Sequence, residues 1–117
     1  MDLESLHNYC LSLKGSEESQ PFGPENIVLK VKNKIFGIIA LNDPLSINLK
    51  CDPEKALELR EQFSFVQPGY HMNKKHWNTI ILEDIVTDRL VKEWIDHSYK
   101  LIVNSLSSKE QKELHAL

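Results

Sequence analysis

Hydrophobic positions change period several times along the chain, and each change marks an element. Leu3, Leu6, Cys10 and Leu13 recur at offsets of three and four, so they share one stripe of a predicted helix. Asp2 stands at its N-cap, and Gly15 is placed to end it in a left-handed conformation. The segment from Ser16 to Glu25 is polar and then turn-rich, and reads as a connection; Pro21, Gly23 and Pro24 exclude regular structure around Phe22. From Ile27 the period becomes two. Ile27, Leu29 and Val31 alternate with Val28, Lys30 and Lys32, the pattern of a half-buried strand.

Asn33 tolerates the left-handed region, so Lys32-Asn33-Lys34 predicts a tight hairpin into a second strand, Ile35 to Leu41, that is apolar on both faces. Asn42-Asp43-Pro44 turns the chain into a third strand, with Leu45, Ile47 and Leu49 on one face and Ser46, Asn48 and Lys50 on the other. These three form an antiparallel meander with the second strand in the middle. That strand is expected to be covered on both faces: by the long helix through Trp94 and Leu101, and by a helix, loop or second subunit.

Asp52-Pro53-Glu54 is a helix start, with Ala56, Leu59 and Phe63 facing inward and Glu58, Arg60 and Glu61 facing water. Gln67-Pro68-Gly69-Tyr70 has the residues of a type II turn. Trp77 to Leu82 is a further strand. Thr87 then caps the longest helix, whose stripe is Leu90, Val91, Trp94, Ile95, Leu101 and Ile102, with Val86 stapled onto Val91. Ser107 and Glu110 form a capping box for a short last helix, to about His115. The predicted class is α+β: an antiparallel sheet, the meander plus later strands, packed against helices in a single domain over residues 1–117.

With 41% hydrophobic and 26% charged residues in 117, the composition excludes collagen-like, low-complexity and wholly disordered chains. The two cysteines, Cys10 and Cys51, are too few for a disulfide scaffold. Spacing alone leaves one bridge between them open. Cys10 lies on a helical stripe and Cys51 at a strand end, so two reduced thiols acting as small hydrophobes are expected. The start Met1-Asp2-Leu3-Glu4 is not that of a signal peptide, and the longest apolar run, Ile35 to Leu41, is far short of the roughly 20 residues a membrane helix needs. A cytoplasmic protein without membrane contact is expected.

The net charge is −3, unevenly spread. Residues 27–82 carry eight bases against five acids, whereas residues 1–26 sum to −4 and residues 83–117 to −2.

Several segments together resemble a known family. They are Pro21-Phe22-Gly23, Lys34-Ile35-Phe36, Asn48 to Glu54, Pro68 to Asn78 and His97-Ser98-Tyr99. In order, and across nearly the whole chain, they resemble the MmcQ/YjbR family of small bacterial proteins. Lys14 departs from the proline expected before Gly15. The resemblance implies a CyaY-like, double-wing α+β fold and a DNA-binding role. Frataxin-like iron donation does not come with that fold, because function is decided by the site. It would want a dense acidic ridge on the first helix, where only Asp2 and Glu4 stand, with Glu17 and Glu18 beyond.

The candidate nucleic-acid contacts are Lys30, Lys32, Lys34 and Lys50 on a basic sheet edge. With them come Tyr70, His71, Asn73, Lys74, Lys75, His76 and Asn78 in a loop that interleaves aromatic, amide and basic residues. Against this stands the plain reading: edge lysines that keep a sheet soluble, and Tyr70 and Trp77 anchoring a loop. His71, His76 and His97 lack partners at zinc-like spacing, so no metal and no cofactor is expected. Asp96, His97 and Ser98 are neighbours on a helix, about 100° apart, and cannot form a catalytic relay. The expectation is a non-enzymatic binding module that engages DNA weakly and with little sequence preference. The alternatives are a protein-interaction adaptor using the second sheet face, or a small-ligand pocket around His71, His76 and Tyr99.

Overall fold

The computed structural model describes residues 1–70 and 72–117, so the His71 expectation lies outside the described residues. Local capping starts the helices where expected. The Asp2 carboxylate accepts from Ser5 N at 2.8 Å and opens α1 (Leu3–Ser12), and Gly15, at φ 72°, turns the chain out of it. β1 (Ser16–Ser19) then runs antiparallel to β2 (Asn26–Val31). This corrects the expected connection. Ser-Glu-Glu-Ser has no apolar alternation, and the strand exists because β2 supplies its hydrogen bonds.

Val31 and Lys34 close a two-residue turn in which Lys32 (φ 49°) and Asn33 (φ 64°) are both left-handed, the twist that suits a tight hairpin. β3 (Lys34–Ala40) and β4 (Ser46–Lys50) complete the meander. α2 (Pro53–Gln62) is capped by Asp52 with Pro at its start. β5 (Val66–Pro68) and β6 (Trp77–Ile81) follow, then α3 (Asp88–Asn104), capped by Thr87, and α4 (Ser108–His115), with the reciprocal Ser107–Glu110 capping box. The six strands are ordered β1-β2-β3-β4-β6-β5, all neighbours antiparallel.

Gly69 differs from its expected place as the second central residue of a type II turn. Its N–H donates to Trp77 O at 2.8 Å and extends the β5–β6 pairing. A Cβ there would meet Trp77 Cβ at 2.8 Å and Trp77 O at 2.9 Å. Glycine serves close approach between chain segments at this position.

The helices cover one face of the sheet. Leu29, Val31, Ile39, Ile47, Leu49 and Ile80 meet Leu6 and Cys10 of α1, Val91, Trp94, Ile95 and Ile102 of α3, and Leu114 of α4 in one core. Each fully buried aliphatic or aromatic side chain there contributes about 1.5–3 kcal/mol. α3 covers one face of β3, without the expected Leu101 in the core, while the other face is the floor of an open concavity lined by Ile38 and Ala40. A bulge opposite Leu29/Lys30 leaves Phe36 out of the ladder and turns it onto α3, edge-on to Tyr99. The Phe36 carbonyl freed by the bulge accepts from Ser98 Oγ at 2.5 Å, and the same hydroxyl accepts from Lys50 N at 2.9 Å. Ile38, on the opposite face, is only 6% exposed. Among the described residues, no helix is long and apolar enough to cross a membrane.

Candidate functional site

The face away from the helices is concave. Strand pairing Ile38↔Asn48↔Thr79 and Ala40↔Ser46↔Ile81 sets these six side chains side by side as the floor of a groove of about 950 Å³. One wall is the loop carrying Phe22 and Glu25, with Asn26 at the start of β2. The Asn42–Pro44 turn closes an end, and Gln67, Pro68, Tyr70 and Met72 form the other wall.

A polar chain crosses the floor. Thr79 Oγ1 accepts from Tyr70 N at 3.0 Å, so its own hydrogen goes to Asn48 Oδ1. That fixes the Asn48 amide with Nδ2 as a donor. Neither this nitrogen nor the Ser46 hydroxyl has a hydrogen-bond partner among the described residues. Both side chains line the groove, at 8% and 9% exposure.

The Tyr70 wall is held from behind by Arg60. Its Nε donates to Asn78 Oδ1 at 2.7 Å, and its Nη2 donates to Trp77 O at 3.2 Å and to Lys74 O. The expectation that Arg60 faces water is therefore corrected. Helical spacing put it beside wet glutamates, but α2 lies over the start of β6, and the guanidinium meets backbone carbonyls there.

The expected nucleic-acid residues divide. Lys30 is not on a sheet edge, because β1 pairs with its strand and sets Glu17 opposite it. The real edge on that side is acidic, with Glu17 and Glu18. Lys32 pairs with Glu113 at 3.0 Å, and Lys34 donates to the Ser105 carbonyl and hydroxyl at 3.3 and 3.4 Å. Lys50 ends β4 opposite Trp77. In the loop, Lys74 Nζ donates to Gly69 O at 3.1 Å, Asn73 Oδ1 accepts from Lys75 N at 2.9 Å, and the His76 carbonyl accepts from Cys51 N at 2.7 Å. Asn78 is corrected outright as a surface contact. It is 2% exposed and held between Arg60 and Ala56 O, because its register partner Leu49 faces the helices. Among the described residues of this set, Tyr70 alone lines the groove, 70% exposed.

Asp96, His97 and Ser98 diverge as neighbours on a helix must. Asp96 accepts from Tyr9 OH at 2.6 Å, His97 Nε2 accepts from Asp52 N at 3.3 Å, and Ser98 reaches Phe36 and Lys50. Tyr99 OH donates to Lys14 O at 2.6 Å, toward the end of α1. Burial pushes Cys10 up to about 12 and raises Cys51, while burial together with the Asp96 carboxylate pushes Tyr9 up to about 12. His97 is held below its usual value by burial and then by Lys55. Among the described residues, no three acidic, His or Cys side chains gather as a metal-binding group.

Sequence reasoning missed the groove. Its signal was present in Ser46 and Asn48, polar alternates of a strand, but nothing in the chain announced that Thr79, Phe22 and Tyr70 would join them.

A helix-backed six-stranded antiparallel sheet with a groove on its open face defines a small α+β protein. The chain belongs to the YjbR family, whose model matches residues 11–101. It is 38% identical to YbdF of Escherichia coli O157:H7, covering 97% of this chain and 98% of that one, and 32% identical to YjbR of Escherichia coli K12 over the same shares. Its backbone is similar to the crystal structure of Deinococcus radiodurans protein DR2400, which carries the DUF419 domain. The TM-score is 0.91 at 37% identity, over 97% of this chain and 87% of that one. A Pseudomonas syringae protein at 23% identity and TM-score 0.76, over 86% of this chain and 98% of that one, shares the fold.

Proposed function

We propose that the protein is a non-enzymatic binding module whose ligand occupies the groove on the open sheet face. The observation that carries this reading is the hydrogen-bonding capacity left in the floor. The Ser46 hydroxyl and Asn48 Nδ2 belong to side chains more than nine-tenths buried, have no partner among the described residues, and line a cavity of about 950 Å³. Both atoms still reach the solvent of the groove, so a ligand there can take over hydrogen bonds otherwise made to water, and pockets for small organic ligands span about 300–1,000 Å³. The absence of catalysis in this reading is supported by the reactive groups. Cys10, Cys51 and Tyr9 have raised pKa values and lie outside the groove, and His97 is engaged with the start of α2. A ligand screen read by amide shifts of isotope-labelled protein tests it. Binders should move the Asn48 side-chain amide and the Ser46 and Tyr70 backbone signals; binders that move only other regions refute it.

A second reading, DNA binding, is supported by Lys34, at the hairpin, and Lys50, which falls at the same end of the sheet, with Lys74 and Lys75 in the loop that leads into β6 beside Lys50. Among the described residues, no acid pairs with Lys50 or Lys75. The test is a titration of duplex DNA at several salt concentrations. A lysine that neutralises a phosphate releases counterions, so Lys74→Ala with Lys75→Ala should lower the salt slope by about 0.9 per lysine removed. The weakening should be similar across unrelated sequences. Absence of salt-sensitive binding at low ionic strength removes this reading.

A further inference from the structure

We infer that the groove selects small organic cations with an aromatic or apolar body and a neutral oxygen acceptor; this rests on reading the groove as the ligand site. Three features of its lining point the same way.

The first is charge. Among the described residues, the charged side chains lining the groove are Glu25 and Asp43. Asn26 pairs with Ala40, so Glu25 and the 42–44 turn sit together at one end of the groove. The lysines of the hairpin and of the β4 terminus lie at the other end of the sheet. A cation entering by the acidic end meets attraction, and an anion meets repulsion. Even in water, a unit charge about 4 Å away changes affinity by about fivefold.

The second is the rims. Phe22 is 60% exposed and Tyr70 is 70% exposed, on opposite walls of the same concavity, with Met72 beside Tyr70. The Phe22 ring offers apolar contact and the negative π-face that attracts ammonium and guanidinium groups, and Tyr70 adds apolar area to the opposite wall.

The third is the floor. Asn48 Nδ2 is fixed as a donor by the Tyr70–Thr79–Asn48 chain, and Ser46 stands on the adjacent floor position. A hydroxyl or carbonyl oxygen on the ligand satisfies that donor. A free carboxylate would do so too, but Glu25 and Asp43 oppose it.

The test uses three probes with one phenol-bearing body: tyramine, tyrosol and 3-(4-hydroxyphenyl)propionate, titrated into isotope-labelled protein at low salt. Tyramine should shift the Asn48 side-chain amide and the Tyr70 and Thr79 signals, with affinity at least about tenfold above 3-(4-hydroxyphenyl)propionate and tyrosol between the two. Glu25→Gln with Asp43→Asn, two exposed positions, should narrow that gap to about twofold, and added salt should narrow it in the wild type. If 3-(4-hydroxyphenyl)propionate shifts the same signals as tightly as the amine, the cation inference is overturned while the groove remains a binding site. If none of the three probes moves Asn48, Thr79 or Tyr70, both the groove reading and this inference fall.

Discussion

Replacing Arg60 with methionine keeps most of the side chain's length and apolar stem but removes the guanidinium that joins α2 to the start of β6. Three acceptors lose a donor, and they are not equivalent. Trp77 O still accepts from Gly69 N at 2.8 Å, and Lys74 is exposed, so water replaces the guanidinium there. Asn78 Oδ1 has neither recourse: the residue is 2% exposed, and its Nδ2 is already committed to Ala56 O. Leaving one buried acceptor unsatisfied costs about 1–3 kcal/mol, so the loss should be near 2 kcal/mol. With an unfolding entropy of about 2.1 cal/mol/K per residue over 117 residues, that lowers Tm by about 8 °C. Thermal and urea unfolding of Arg60→Met, Asn78→Ala and the double variant measure it. The double variant should be hardly less stable than Asn78→Ala alone, with a coupling of at least about 1 kcal/mol. Additive effects, or a Tm for Arg60→Met within about 2 °C of wild type, would refute the argument that Arg60 is a structural clamp.

Ser98→Ala should destabilise by about 2–4 kcal/mol in urea unfolding, because the Phe36 carbonyl and the Lys50 N–H both lose their partner under α3; a loss below about 0.5 kcal/mol would contradict that account. His97 accepts from Asp52 N, which only an unprotonated nitrogen can do, and burial followed by Lys55 holds its pKa below the usual 6.5, with Lys100 adding and Asp52 opposing. The unfolded chain therefore binds the extra proton first. Stability should fall as pH drops through about 6.5 and level off below the folded-state pKa; an NMR titration placing His97 at or above 6.5 would overturn this. Cys10 and Cys51 are buried with raised pKa values, so both should react slowly with a thiol reagent near pH 8 and rapidly in denaturant, and fast labelling of either native thiol would contradict the packing described.

Features whose physics is local could be read from the chain alone. Asp2, Asp52, Thr87 and Ser107 each accept from the amide three residues on, so the helix starts were legible as soon as a cap preceded an apolar stripe. The meander was legible too, because period-two runs were separated by Asn33 and by Asn42-Asp43-Pro44. Whatever depends on a partner far along the chain emerged only on folding. β1 is polar throughout and becomes a strand only through β2. The β3 bulge turns Phe36 onto α3 against the alternation that placed it with Ile38. The Arg60 guanidinium turns onto Asn78 and backbone carbonyls because α2 crosses the start of β6. The groove is the largest of these effects. Asn48 and Thr79 are each ordinary polar residues of a strand, 31 positions apart. Only the β4–β6 register makes them a bonded pair, and only the loops bearing Phe22 and Tyr70 wall them in, because hydrogen-bond register and loop closure join residues that no local pattern connects.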